Sequence, residues 1–122
     1  MVAQVSAPGG GSSNPSRSSK KRLSPSRCEL VVLMQMANFG RIEGLKIIDG
    51  EPVLSPRPTF VREHKFGGEN GPRKEISLDD FLLKGEVVEL FSYFDQKRNF
   101  LIEALEIKHG LPFRTILRDA LP

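Results

Sequence analysis

The chain has 122 residues, 39% of them hydrophobic and 27% charged, with 18 basic and 15 acidic side chains. That length holds one domain, and no run of 18 apolar residues is present to span a membrane as a helix. A single cysteine, Cys28, excludes an internal disulfide and fits a reducing compartment, so a cytoplasmic protein is expected.

Residues 1–27 contain Gly9-Gly10-Gly11, Pro8, Pro15, Pro25 and many serines, with almost no large apolar residues. Such a stretch buries too little surface to offset its ordering entropy and is predicted to be a disordered tail. Val2, Ala3 and Val5 are too sparse for the apolar segment of a signal peptide. The surplus positive charge sits here: Arg17, Lys20, Lys21, Arg22 and Arg27 face no acid, and the remainder of the chain holds 13 basic and 15 acidic residues. A nucleic-acid module usually carries a basic patch on the fold itself, and a near-neutral body argues against one. The tail, with Lys20-Lys21-Arg22 among serines, is the segment suited to nucleic acid or an acidic surface, although a plain solvated leader has the same composition.

Residues 28–122 are expected to form a single small domain. Ser26-Arg27-Cys28-Glu29 has the form of a capping box, and Leu30, Leu33, Met34 and Ala37 fall on one helical face. A strand is the rival reading of LVVLM. Asn38 and Gly40 supply ends. A hairpin follows: Ile42–Ile48, the tight-turn pair Asp49-Gly50, then Val53-Leu54. Ser55-Pro56-Arg57-Pro58 is extended and marks an exit from the ladder. Phe60–Phe66 alternates weakly, as a further short strand would. After a loop with glycines at 67, 68 and 71, Ser77-Leu78-Asp79-Asp80 gives a second capping signal. Leu83, Val87, Leu90, Phe91 and Phe94 form an apolar stripe, interrupted by Gly85 at a cost of about 1 kcal/mol relative to alanine. Phe100–Lys108, the turn His109-Gly110 and Leu111–Arg118 form a second hairpin.

The two hairpins resemble one another. IEGLKIIDGEPVL at 42–54 and IEALEIKHGLPFR at 102–114 share Ile42/Ile102, Glu43/Glu103, Leu45/Leu105, Ile47/Ile107, Gly50/Gly110 and Pro52/Pro112. Each copy follows an apolar stretch beginning Val31-Val32 or Val87-Val88, and the pseudo-repeats run over about 28–54 and 77–118. The predicted fold is α+β: a duplicated α-β-β unit forming a two-layer sandwich, its four- or five-stranded, mostly antiparallel sheet carrying both helices on one face. Strict alternation puts Leu45, Ile47, Leu105 and Ile107 on the core face with Glu43 and Glu103. It puts Ile42, Gly44, Lys46 and Ile48 on the other face, matched by Ile102, Ala104, Glu106 and Lys108.

Few groups offer chemistry. His64 and His109 are the only histidines, and each reads more simply as an exposed or turn residue. No Cys/His spacing fits a metal, and no triad is apparent. Asp79-Asp80 is explained by capping, and Glu43 and Glu103 by salt bridges, so no catalytic residue, metal or cofactor is expected. The segment Lys65-Phe66-Gly67-Gly68-Glu69-Asn70-Gly71-Pro72-Arg73-Lys74 stands out. Its glycines expose backbone amides beside cations, which can hold an anion, yet it matches no phosphate-loop pattern. Lys65, Gly67, Gly68, Glu69, Asn70, Arg73 and Lys74 form the candidate binding loop, with a simple connector between the halves as the alternative.

NFGRIEGL at 38–45, DGEPV at 49–53, KFGGENGPR at 65–73, VVELF at 87–91 and KHGLPF at 108–113 together resemble a group of short, uncharacterised bacterial proteins. The resemblance implies a small stand-alone domain and brings no activity, cofactor or site residue with it. The sequence thus favours a non-enzymatic binding or adaptor domain acting through its exposed sheet face or glycine-rich loop, with a protein partner or a second copy. The alternative is a nucleic-acid-associated regulator using the basic tail. An enzyme acting on small anionic substrates through Glu69, Arg73 and Lys74 is the least favoured reading.

Overall fold

The computed structural model describes residues 22–68, 70 and 84–119. Helix α1 (Pro25–Ala37), strands β1 (Gly40–Ile48), β2 (Glu51–Val53) and β3 (Thr59–Arg62), helix α2 (Gly85–Lys97) and strands β4 (Phe100–Lys108) and β5 (Leu111–Leu117) follow in chain order. All strand pairs are antiparallel: β1 pairs β4 at the centre, β5 lies outside β4, and β2 and β3 share the outer edge of β1. Both helices cover one face, as the α+β two-layer reading anticipated. Ser55–Pro58 separates β2 from β3 as an exit segment.

The two halves correspond at an offset of sixty residues, and the correspondence extends well beyond the hairpins. α1 and α2 are thirteen residues each, and β1 and β4 nine each. Each helix ends on a residue of positive φ, Asn38 (58°) and Arg98 (66°), whose N–H donates to the Met34 or Phe94 carbonyl. Each hairpin turns on two residues of positive φ, Asp49-Gly50 (53°, 80°) and His109-Gly110 (55°, 74°), the pattern that matches strand twist in a two-residue loop. The halves then lock reciprocally: Gly50 N–H donates to the Arg98 carbonyl and Gly110 N–H to the Asn38 carbonyl, both at 2.8 Å. Each tight turn thereby donates a hydrogen bond to a carbonyl at the end of the other half's helix. This register aligns Leu30 with Leu90 and Met34 with Phe94, all buried; the Val31-Val32 and Val87-Val88 dipeptides of the sequence alignment are not equivalent.

The core joins Leu30, Val31 and Met34 of α1 and Leu90, Phe91 and Phe94 of α2 to Ile42, Leu45, Ile47, Ile102, Leu105 and Ile107 of the sheet. Ile42 and Ile102 therefore lie on the core face, contrary to strict alternation, and Glu43 and Glu103 do not. The reason is local. Gly44 takes φ 72°, so β1 buries both Ile42 and Leu45, three apart. β4 shifts register against β5 between Ile102 and Ala104. A glycine inside a strand permits this change of face. Glu43 and Glu103 instead accept from Arg41 Nε and Arg118 Nε, each at 2.6 Å.

Three further expectations shift. The N-cap of α1 is Ser24, whose hydroxyl accepts from Arg27 N–H at 3.2 Å, and the Ser26 hydroxyl donates to Glu51 Oε1 at 2.7 Å. Arg27, assigned by composition to the tail, is built into the fold. Its guanidinium donates to the Gly50 carbonyl (2.7 and 3.3 Å) and to Asp95 (2.6 Å), and lies 5.1 Å from the Phe91 ring centroid. Gly85 opens α2 instead of interrupting it, so its mid-helix penalty does not arise. Residues 1–21 and the Ser77–Asp80 cap lie outside the described residues.

Candidate functional site

The open face of the sheet, opposite the helices, differs between its two ends. At the end marked by the His109-Gly110 turn, a hollow of about 360 Å³ crosses the sheet from the segment after β3 to the start of β5. Phe39, just before β1, and Arg41 on β1 open it, the segment after β3 adds Glu63 and Lys65, and β4, the turn and β5 supply Glu106, Lys108, His109 and Phe113. Register brings these together: Arg41 pairs with Glu106 across β1 and β4, and Gly40 with Arg62 across β1 and β3. The Glu63 N–H then donates to the Phe39 carbonyl at 2.9 Å, which directs the chain after β3 over the β1 entrance. Only glycine fits at position 40, where φ is 154° and an added Cβ would overlap the Val61 carbonyl oxygen. That close approach brings Lys65 to the site.

Cations and rings alternate here. Lys65 Nζ lies 4.3 Å from the Phe39 ring centroid and Lys108 Nζ 4.0 Å from that of Phe113. His109 meets Phe39 edge-on at 4.8 Å. An ammonium over an aromatic face is attracted by the ring quadrupole. Arg41 and Arg114 are engaged with Glu43 and Glu106, each at 2.6 Å. The Glu43 carboxylate, as hydrogen-bond acceptor and then as a charge, raises the Arg41 pKa above its ordinary value, with smaller contributions from Glu106 and Glu63. Glu106 raises Arg114 in the same way. Both guanidiniums thus stay charged throughout the usual pH range. Lys65 and Lys108 make no ion pair with a described residue. Phe113 is 53% exposed at the rim and Phe66 94% exposed beside His64.

At the opposite end, sixty residues away in register, the counterparts of Phe39, Arg41, Lys108, His109 and Phe113 are Asn99, Leu101, Ile48, Asp49 and Val53. Ile48 and Leu101 are 50% and 49% exposed there. The same backbone therefore carries two rings and more charge at one end, and exposed Ile48 and Leu101 with Asp49 and Asn99 at the other, where Lys46 stands opposite Glu106 in the alignment.

Of the candidate loop, Lys65 enters the hollow. Asn70 closes the loop on itself, its Oδ1 accepting from Lys65 N–H at 2.9 Å and its Nδ2 donating to the Lys65 carbonyl at 2.8 Å. Gly67 supplies φ 78° for this turn and Gly68 is exposed beside it. Glu69, Arg73 and Lys74 lie outside the described residues. Sequence reasoning placed Lys108 on the sheet face away from the expected core without singling it out, and it missed Phe39, Arg41 and Phe113. The signal was present where the two copies part company, at KHGLPF against IDGEPV.

A second hollow of about 420 Å³ lies between α2 and β5, floored by Leu90 and Leu105 and rimmed by Glu86 and Glu89. Among the described residues, no group of three His, Cys, Asp or Glu side chains is placed to hold a metal ion, and no helix is long and apolar enough to cross a membrane. No family model, curated protein or solved structure gives a match to this chain.

Proposed function

We propose that this chain is a non-enzymatic binding domain that holds an anionic partner across the His109 end of its open sheet face. The observation that carries the reading is the asymmetry between two ends of one pseudo-symmetric sheet. Positions that are Asn, Leu, Ile, Asp and Val at one end are Phe, Arg, Lys, His and Phe at the other. Asn99 and Asp49 have a structural role at their end, the Asn99 Oδ1 accepting from Asp49 N–H at 3.0 Å, so the reading rests on Arg41, Lys108 and Phe113, which stand exposed where the other half has Leu101, Ile48 and Val53. Two lysines without an ion pair among the described residues, beside rings that exclude water from one side of each ammonium, form a site for negative charge.

The test is retention of the full chain on an immobilised polyanion. Charge reversal at both Lys65 and Lys108 is expected to lower the eluting salt concentration clearly, whereas reversal at both Lys46 and Lys97, the same change in charge near the other end, changes it little. Equal shifts for the two variants contradict the proposal. The basic segment before residue 23 is identical in both proteins, so it cannot account for a difference between them.

A further inference from the structure

Resting on that reading, we infer that the anionic partner is a single-stranded nucleic acid, laid across the strands at the His109 end. Charge alone does not choose between an acidic peptide and a phosphodiester chain. The rings do. An acidic peptide is held by cations and has no use for exposed phenyl groups, whereas a nucleotide presents a phosphate and a flat base within a few ångströms of each other. Proteins that bind single strands combine a positive track for the backbone with aromatic side chains on which bases stack. Phe113, half exposed at the rim, stands between Lys108 Nζ at 4.0 Å and the Arg114 guanidinium at 5.9 Å from its centroid. Phe39 stands between Lys65 Nζ and His109.

The spacing agrees. β3, β1 and β4 are neighbours, and adjacent strands lie about 4.8 Å apart. Lys65, beyond the end of β3, and Lys108, at the end of β4, are thus separated by roughly two strand spacings. Successive phosphates of an extended single strand fall within the reach of two flexible lysines so placed. An unpaired strand fits better than a duplex, because a duplex keeps its bases stacked inside and offers Phe113 nothing to meet. The near-neutral total of the folded body does not oppose this. Glu63 and Glu106 line the hollow beside Arg41, Lys65 and Lys108, which leaves one net positive charge there, and Glu86 and Glu89 line the neighbouring hollow that Phe113 and Arg114 also border.

The experiment is fluorescence anisotropy of the full chain with three labelled probes: a twelve-nucleotide oligothymidylate, the same length of duplex DNA, and a twelve-residue polyglutamate. Oligothymidylate is expected to bind best. Its affinity should fall with salt with a logarithmic slope of at least about −1.4, at about 0.7 per phosphate contact for the two lysines. Replacing both Lys65 and Lys108 by alanine should flatten that slope by about the same amount. Phe113→Ala removes an exposed ring and should weaken binding about tenfold, and Phe113→Leu, which keeps apolar bulk but no π face, should do so as well. Polyglutamate binding at this site without oligothymidylate binding overturns the inference and leaves the proposed function standing. Binding by none of the probes overturns both. Oligothymidylate binding that ignores Phe113 and disappears when Arg17, Lys20, Lys21 and Arg22 are replaced by glutamine also overturns the inference, since the basic leader then does the binding.

Discussion

Replacing Arg27 by alanine removes a side chain that ties the first turn of α1 to the first hairpin and to the end of α2. The Arg27 side chain is 14% exposed. Its two hydrogen bonds to the Gly50 carbonyl, at 2.7 and 3.3 Å, involve a charged donor, and such bonds contribute about 1.5–3 kcal/mol. The ion pair with Asp95 is worth less, because that carboxylate is 59% exposed; about 0.5 kcal/mol is the appropriate size. Contact with the Phe91 and Phe94 rings, at 5.1 and 5.9 Å, adds about 0.5–1 kcal/mol. The expected loss is about 3 kcal/mol. For a domain of this size each kcal/mol moves Tm by about 4–8 °C, so Arg27→Ala should melt about 12–24 °C lower. Arg27→Lys, which keeps the charge without the guanidinium fork, should fall between the two. Arg22→Ala, at an exposed position, is the control and should stay within about 0.5 kcal/mol of the parent. Chemical denaturation with an unchanged m-value measures all three. If Arg27→Ala matches Arg22→Ala, Arg27 belongs to the leader after all, and the reasoning that begins the domain before residue 27 fails.

Gly40→Ala should cost more than 3 kcal/mol or displace β3, because the new Cβ overlaps the Val61 carbonyl oxygen; Gly44→Ala meets open space and should cost only the φ penalty of about 1–2 kcal/mol, as paired urea melts will show. Gln35 is buried, and its Oε1 has no partner among the described residues, so Gln35→Met, of similar shape, should stabilise by about 1 kcal/mol and raise the denaturation midpoint. Phe66→Ser, at a side chain that is 94% exposed, should leave stability within about 0.5 kcal/mol in the same assay.

Most of the fold was legible because the signals that specify it are short-range. The Asp49-Gly50 and His109-Gly110 turns, the apolar spacing in both helices and the sixty-residue likeness of the hairpins each depend on neighbours in the chain. The assignment of faces was not legible in full. It turned on the backbone at Gly44, where φ 72° allows Ile42 and Leu45 to share a face; the interior glycine was the clue, and strict alternation overlooked it. Arg27 was counted among the tail's cations, although the capping signal at residues 26–29 put it at the helix start, because composition cannot tell a solvated arginine from one held by a turn and two rings contributed by residues 50, 91 and 94. The site was half visible. Lys65 stood out within its glycine-rich loop, but its companions on β1, β4 and β5 meet it only through long-range strand pairing and the close approach at Gly40. Comparing the two copies for their differences, instead of their identities, would have pointed to Lys108, His109 and Phe113.

The central claim is that one end of a pseudo-symmetric sheet carries recognition. The most direct measurement is amide chemical-shift mapping of the full chain titrated with oligothymidylate. The account expects perturbations at Phe39–Arg41, Lys65, Glu106–His109 and Phe113–Arg114, with Lys46–Asp49 and Asn99–Leu101 unmoved. Perturbations spread equally over both ends, or confined to residues before Leu23, would contradict it.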